Sequence, residues 1–343
     1  MIKRMNWQIF LWIISTLCIP VSLPIVTMHL YRRYRLRQLK GQLKGKVVLI
    51  TGASSGIGEA LAHQFFKAGC RVILSARRQK ELERVRDDLL RAHATTTPAH
   101  QPVVITLDLS DVASIPAAVE KAKSIFGCID ILINNGGMSQ RGSVQSTKLE
   151  VDMQIMQVNY FGQVALTKAI LPLMIQRKTG HIVAVSSIQG RVAIPFRSAY
   201  SASKHALQAF CDSMRPEVAQ HNVHVTVVSP GYVQTSLSIN AVTGSGQKYG
   251  VMDDTTAGGY PPEYVAEQVL NGVVLQEKEI ILATAGPRFA ILLRSLGPDI
   301  YFWIMQKRAN KMLADAQSKT SSPETSQTKT KLESDDSSKL KTN

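Results

Sequence analysis

The sequence predicts an α/β chain: one doubly wound parallel sheet of about seven strands with helices on both faces, preceded by a single N-terminal transmembrane helix. Three observations carry this. Between residues 46 and 284, short β-branched runs alternate with helical patterns. The runs are nearly all apolar, as strands buried on both faces must be. From Trp7 to Met28 there are 22 residues without Asp, Glu, Lys or Arg, the length a helix needs to cross about 30 Å of hydrocarbon.

Residues 1–30 form the expected anchor, with the span at 7–28. No small-x-small cleavage site precedes the arginines that follow, which favours an uncleaved anchor over a signal peptide. Residues 31–45 read as a basic linker: Arg32, Arg33, Arg35, Arg37, Lys40 and Lys44, with Lys46 just after it, fall together with no acid among them. They account for much of the net charge of +15 and mark a juxtamembrane patch, not a nucleic-acid surface. Seven cations after the span against Lys3 and Arg4 before it place the C-terminal bulk in the cytosol by the positive-inside rule. Scattered cysteines (Cys18, Cys70, Cys128, Cys211) and the lack of an N-x-S/T acceptor suit a reducing compartment.

Residues 46–286 form the expected α/β domain. Its expected strands are Val47–Thr51, Arg71–Ser75, Val103–Asp108, Ile131–Asn134, His181–Ser186, His224–Ser229 and Ile280–Ala283. Right-handed crossovers through the intervening helices give a Rossmann-type sheet. The glycine- and proline-rich stretch 235–262 reads as a disordered loop or a mobile lid. Residues 287–316 read as a C-terminal helix whose stretch Phe289–Met305 is apolar but interrupted by Arg294 and Asp299, which suits an interfacial or dimer-forming helix, a homodimer being one outcome, or equally a plain core helix. Residues 317–343 lack apolar periodicity and are expected to be disordered. Lys339 and Lys341 near the end resemble a dilysine retrieval signal of endoplasmic-reticulum membrane proteins.

The chemistry begins directly after the first strand with T-G-A-S-S-G-I-G. Gly52, Gly56 and Gly58 let backbone N–H groups approach a pyrophosphate at a helix N-terminus. At the end of the second strand, where an acid would bind the ribose of NAD, the chain reads Ser75-Ala76-Arg77-Arg78, and the first acid is Glu81. Arginines there face a 2′-phosphate, so NADP(H) is favoured over NAD(H). Asp108 is placed to accept from an adenine amino group, and Asn134-Asn135-Gly136-Gly137 ends the fourth strand beside the cofactor; strand-end capping accounts for either feature equally well.

Tyr200 and Lys204 lie four residues apart at a helix start, hence on one helix face. A lysine beside a phenol favours the phenolate and makes Tyr200 a usable proton donor near neutral pH. Ser187 ends the fifth strand thirteen residues upstream, at the edge where such sheets bind ligands. Asn159 is a polar residue amid apolar neighbours in a long helix.

T-G-x-x-x-G-x-G, N-N-x-G, the helix Asn, the Ser and Y-x-x-x-K, in that order, resemble the short-chain dehydrogenase/reductase family over roughly 240 residues. The resemblance implies Tyr200 as acid/base, Lys204 lowering its pKa and bonding the nicotinamide ribose, Ser187 polarising the substrate carbonyl, and Asn159 positioning a relay water. Ser54, Ser55, Ile57 and Gly58 would line the phosphates, Arg77 the 2′-phosphate, Asn135 the strand end, and Thr235 the carboxamide or phosphate. One departure is a glycine, Gly136, where the family has alanine, which would loosen that strand end. No metal is implied.

The anchor, the basic run, S-S-I-Q-G, P-F-R-S-A-Y-S-A-S-K-H-A and K-Y-G-V-M-D most resemble membrane-bound members of the family. Such members are associated with the endoplasmic reticulum and peroxisomes and with reduction of acyl- or alkyl-dihydroxyacetone phosphate in ether-lipid and glycerolipid synthesis. A lipid-like substrate is therefore expected, with Arg191, Arg197 or Lys248 meeting its phosphate. The alternatives are a steroid or retinoid carbonyl reductase and an inactive, membrane-tethered interaction protein.

Overall fold

Seven parallel strands form the sheet that the apolar runs predict. The computed structural model describes residues 12, 15, 16, 19–94 and 100–321. It divides into two units, Met1–Leu292 and Leu293–Asn343. In the first unit the elements run α1 (Ile19–Leu39), β1 (Val47–Thr51), α2 (Gly56–Lys67), β2 (Arg71–Ala76), α3 (Gln79–Ala92), β3 (Val103–Thr106), α4 (Ile115–Phe126) and β4 (Ile131–Asn134). There follow β5 (Gln140–Arg141), α5 (Leu149–Met156), α6 (Gly162–Arg177), β6 (Gly180–Val185), α7 (Ser198–Ala219), β7 (Val223–Pro230), β8 (Val242–Thr243), α8 (Pro262–Leu275) and β9 (Glu279–Leu282).

The order across the sheet is β3-β2-β1-β4-β6-β7-β9. The chain starts in the middle at β1, winds outward to β3, then returns and builds the other half from β4. That reversal leaves a crevice beyond the carboxyl ends of β1 and β4, the position where open parallel sheets bind ligands. Two apolar layers close the faces. Leu61, Phe65, Leu82, Val85 and Val269, from α2, α3 and α8, pack on one side. Ile115, Leu166, Ile170, Leu207 and Met214, from α4, α6 and α7, pack on the other. Residues such as Phe65, Leu61 and Leu166 are fully buried, each worth about 1.5–3 kcal/mol relative to exposure.

The expected strand Val103–Asp108 ends earlier, at Thr106, although the Leu107 N–H still donates to the Ala76 carbonyl at 3.1 Å. The stretch expected to be a loose lid is structured. β8 pairs in parallel with β5, the Lys148 N–H donates to the Gly244 carbonyl at 2.9 Å, and a helical turn spans Asp254–Ala257. Its glycines therefore serve close packing as well as chain freedom: a Cβ at Gly244 would lie 2.7 Å from the Ser146 carbonyl oxygen.

The basic linker is also different from the expectation, because residues 31–39 continue helix α1 through the arginines. Arg32, Leu36 and Leu39 recur at helical spacing on one face. The two leucines pack against the core, and Arg32 Nε donates to Glu277 at 2.9 Å. Leu23, Ile25, Val26 and Met28 in the same helix are exposed. Residues 7–11, 13, 14, 17 and 18 of the expected span lie outside the described residues.

By length and composition, one helical stretch among the described residues could cross a membrane, Leu149–Arg177. This is α5–α6, whose Ile155, Leu166, Ile170 and Met174 are fully buried in the domain, so it is a core helix.

After β9 come α9 (Ala285–Leu296) and α10 (Pro298–Ser321), in place of the single helix expected over 287–316. Gly297 and Pro298 part them. None of the α9 side chains is buried, so this part of the stretch is not a core helix, whereas Tyr301 in α10 is buried. Within the second unit Ile300, Phe302 and Trp303 are exposed, and Lys307 Nζ sits 3.7 Å over the Trp303 ring. Helix α10 reaches five residues into the segment expected to be a disordered tail; residues 322–343 lie outside the described ones.

Candidate active site

At the crevice the first turn has room only for glycine at two positions. Gly52 has φ +65° and a Cβ there would lie 2.8 Å from the Gly136 Cα; at Gly58 it would lie 2.2 Å from the Gly52 carbonyl oxygen. Backbone thus packs on backbone, leaving the first N–H groups of α2 facing outward. Such unpaired donors with the helix dipole favour an anion. Asn135 holds the turn shut, its Nδ2 donating to the Thr51 carbonyl at 3.0 Å. A cradle of this shape fits a dinucleotide diphosphate.

A cavity of about 580 Å³ runs from this turn across the strand ends. Ser54, Ser55, Ile57, Arg77, Asp108 and Thr235 line it at one end, and Ser187, Tyr200 and Lys204 line it at the other. Sequence reasoning therefore brought together residues up to 183 positions apart, from Gly52 to Thr235. Arg78, not Arg77, reaches over the turn: its Nη2 donates to Ser54 Oγ at 3.0 Å and Ser55 Oγ at 3.1 Å. Asp108 is partly committed, its Oδ1 accepting from the Ser110 N–H at 2.9 Å and hydroxyl at 2.7 Å. Thr235 packs on the turn, its Cγ2 lying 2.9 Å from where a Gly56 Cβ would stand.

The glycine at 136 does not loosen the strand end. Leu109 Cδ1 lies 2.7 Å from the position of a Gly136 Cβ, so a leucine methyl occupies the space. The backbone there is fastened as well: Thr51 Oγ1 accepts from the Gly136 N–H at 2.9 Å, and Gln163 Nε2 donates to the Gly136 carbonyl at 2.6 Å. Thr51 opens the glycine motif, but the motif assigned it no role of its own; Gln163 carried no sequence signal, being an ordinary polar residue in an apolar run.

Asn159 sits in a π-helical turn, Gln157–Phe161, between α5 and α6, a local widening frequent at functional sites. Both hydrogens of the amide and its oxygen are engaged by protein partners. Oδ1 accepts from the Met138 N–H at 2.8 Å, and Nδ2 donates to the Met138 carbonyl at 2.9 Å and to Ser203 Oγ at 3.0 Å. Asn159 thereby fixes the loop after β4 against α7, and it stands behind the cavity wall.

The Ser187 hydroxyl acts on the Tyr200 phenol as a neighbouring polar partner, while its Oγ donates to the Pro230 carbonyl at 3.5 Å and accepts from the Gln189 N–H at 3.1 Å. Tyr200 and Ser187 are both buried, at 7% and 6% exposure. Lys204 Nζ donates to the Val185 carbonyl at 2.8 Å, and burial lowers its pKa to about 8. Lys204, expected to pull the phenol down, is not among the groups that act on it. Burial raises the Tyr200 pKa, opposed by the Ser187 hydroxyl and then by the charges of Arg197 and Arg141. The phenol is thus held protonated, which is the form a proton donor needs.

The arginines form the feature that sequence reasoning missed in part. Arg197 lines the cavity, as does Lys248, but Arg191 does not; it pairs with Glu279. Arg141 Nη2 and Arg197 Nη2 both donate to Asp253 Oδ2, at 2.5 and 3.0 Å. No pattern linked residues 141, 197 and 253, which come from a two-residue strand, the N-cap of α7 and the residue before a single helical turn.

Comparison with known proteins agrees with this construction. The family model for short chain dehydrogenases matches residues 46–245. The chain is 55% identical over 310 residues to a dehydrogenase/reductase SDR family protein 7-like from Anopheles gambiae, covering 90% of this chain and 98% of that one. It is 46% identical over 301 residues to dehydrogenase/reductase SDR family member 7B of Bos taurus, covering 88% and 93%. The solved short-chain dehydrogenase from Streptomyces avermitilis superposes with a TM-score of 0.63 at 29% identity, covering 78% of this chain and 99% of that one. With a glycine cradle, a Ser–Tyr pair and a buried lysine around one cavity, the chain belongs to the short-chain dehydrogenase/reductase family, as an oxidoreductase of the NAD(P)-binding fold.

Proposed function

We propose that this protein is an NADPH-dependent reductase of a carbonyl on a lipophilic substrate, and that acyl- or alkyl-dihydroxyacetone phosphate is that substrate. The observation that carries the reading is the Ser187–Tyr200 hydroxyl pair, in a cavity continuous with the glycine turn. A carbonyl oxygen taking the place between those hydroxyls receives a hydrogen bond from Ser187 and the proton of Tyr200. Bound along the turn, NADPH supplies the hydride. Gly52, Ser54, Ser55, Gly56, Ile57 and Gly58 would hold its diphosphate, Arg78 with Arg77 its 2′-phosphate, and Lys204 its ribose. Burial keeps Tyr200 protonated and excludes competing water. Ser187 steadies charge developing on oxygen, a role worth about 2–4 kcal/mol per donor elsewhere.

Support for NADPH is the Arg78 guanidinium poised over Ser54 and Ser55 with no acid at the end of β2. Support for a bilayer-borne substrate is the exposed apolar run in α1 ahead of the arginines. On this reading the protein is a single-pass resident of endoplasmic-reticulum or peroxisomal membranes with its domain in the cytosol. The full chain in detergent with NADPH, given alkyl-dihydroxyacetone phosphate and a ketosteroid, tests the substrate. Faster turnover of the ketosteroid would reject the phosphorylated lipid, and loss of the domain's protease sensitivity in sealed microsomes would reject the orientation.

A further inference from the structure

The first turn of α7 carries a charge arrangement that the reductase chemistry leaves unused. Arg197 is its N-cap residue, so a cation stands at the positive end of a helix dipole, where anions are stabilised and cations are not. It is 6% exposed and lies beside a second guanidinium, Arg141. One carboxylate oxygen, Asp253 Oδ2, serves both. Arg141 is otherwise satisfied, its Nη1 donating to Ser139 Oγ at 2.7 Å and the Gln140 carbonyl at 2.9 Å. Arg197 is not: its Nε is buried with no hydrogen-bond partner. A buried donor left unpaired costs about 1–3 kcal/mol, more when charged. The two arginines line the catalytic cavity, and Asp253 is not among the lining residues.

Two guanidinium charges against one carboxylate leave +1, to which the helix terminus adds roughly half a charge. Exposed Lys248, at the same cavity, adds one more. The cluster is built around an anion of more than unit charge. A phosphate monoester carries about −1.5 to −2 at neutral pH and matches it, and its oxygens suit a guanidinium fork. Arg197, at the N-cap, and Tyr200, in the first turn that follows, line the same cavity, and the Arg197 charge acts on the phenol.

We propose that Arg197, with Arg141 beside it and Asp253 holding both, binds a phosphate monoester on the substrate and so selects phosphorylated ketones over uncharged ones. The proposal rests on the reductase reading above but is separable from it. Asp253 is then a positioning residue, and Arg197 is the group that touches the anion. The alternative role for the cluster is a pin that fastens the 253 segment to the domain.

The test uses the full-length protein with NADPH and two matched pairs: alkyl-dihydroxyacetone phosphate against its dephosphorylated ketone in micelles, and dihydroxyacetone phosphate against dihydroxyacetone in solution. In either pair the phosphorylated member should be preferred in kcat/KM, and the pair with the larger preference identifies a lipid or a soluble carrier. The preference should fall about tenfold to a hundredfold in Arg197→Met, the scale of a lost charge-assisted hydrogen bond, with partial recovery in Arg197→Lys. A second readout needs no turnover: glycerol 3-phosphate titrated calorimetrically into NADP⁺-saturated protein should bind wild type and lose at least as much affinity in Arg197→Met. Arg197→Gln carries the same comparison if the methionine variant does not fold. Equal losses on charged and uncharged ketones would make the cluster a pin and overturn the proposal, as would a wild type that neither prefers the phosphorylated ketones nor binds glycerol 3-phosphate. Absence of any ketone reduction with glycerol 3-phosphate still bound through Arg197 would reject the reductase reading and leave the anion site standing.

Discussion

Lys204 and Tyr200 share a helix face, yet the lysine gives its hydrogen bond to the Val185 carbonyl and stands 5.9 Å from the centre of the tyrosine ring. The two are neighbours and not hydrogen-bonded to each other. Burial acts on both and in opposite directions, favouring the neutral phenol and the neutral amine.

Cofactor affinity should therefore depend on pH through Lys204. Its pKa is lowered from 10.5 to about 8, so the ammonium that would bond the ribose is lost as pH rises through about 8. NADPH dissociation constants from fluorescence quenching should rise severalfold between pH 7 and 9.5 in wild type, and Lys204→Met should bind weakly with no such step. For stability the sign is the reverse. The unfolded lysine holds its proton up to about 10.5 and the folded one releases it near 8, so wild type gains stability from pH 8 to 10.5. Denaturant titrations should show that gain absent in Lys204→Met.

Replacing Tyr200 by phenylalanine removes the proton and leaves the cradle intact. Turnover should drop by at least the 10²- to 10⁴-fold typical of lost acid catalysis, with NADPH binding retained. Residual activity above a few per cent would reject Tyr200 as the donor.

Arg78→Ala should raise the KM for NADPH by about tenfold or more, the scale of a charge-assisted bond to phosphate, and should change that for NADH little. Arg77→Ala should have the smaller effect, because only Arg78 bridges Ser54 and Ser55. Steady-state kinetics with both cofactors distinguish the arginines.

Two glycine substitutions should separate cleanly. Gly58→Ala drives a methyl against the Gly52 carbonyl oxygen, with no side chain to yield. It should cost on the order of 1–3 kcal/mol and abolish tight cofactor binding. Gly136→Ala meets only a terminal methyl of Leu109, which can rotate away, and should shift stability by less than about 1.5 kcal/mol. Thermal melts of the two variants check this directly.

The parts of the site that could be read from sequence are those with local periodicity or fixed spacing. Gly52 to Gly58 follow a buried strand directly, and Tyr200 and Lys204 are one helical turn apart, so chemistry and geometry coincide within a few residues. The anion cluster has no such compactness. Arg141 lies on a two-residue strand and Asp253 just before a single helical turn, both set by tertiary pairing that leaves no period to detect. The loop over 235–262 misled for a related reason: its glycines signal freedom of the backbone, whereas Gly244 and Gly259 are packed against neighbouring carbonyl oxygens. Residues 31–39 read as a linker because their charge dominates the pattern, while only Leu36 and Leu39 carry the helix face that docks.

Helix α1 has a kinetic consequence. It runs unbroken from the exposed apolar residues near Met28 to Leu39 and is fastened to the domain by two leucines and the Arg32–Glu277 pair. At about 1.5 Å per residue, the stretch from Met28 to Leu36 is a strut roughly 12 Å long. On the proposal that residues 7–28 span a bilayer, a strut holds the catalytic mouth at one height and tilt, and lateral diffusion of the anchor replaces swinging on a tether. Encounter then occurs in two dimensions. Turnover should follow the mole fraction of substrate within the surface, so that diluting it with inert detergent at constant bulk concentration slows the enzyme.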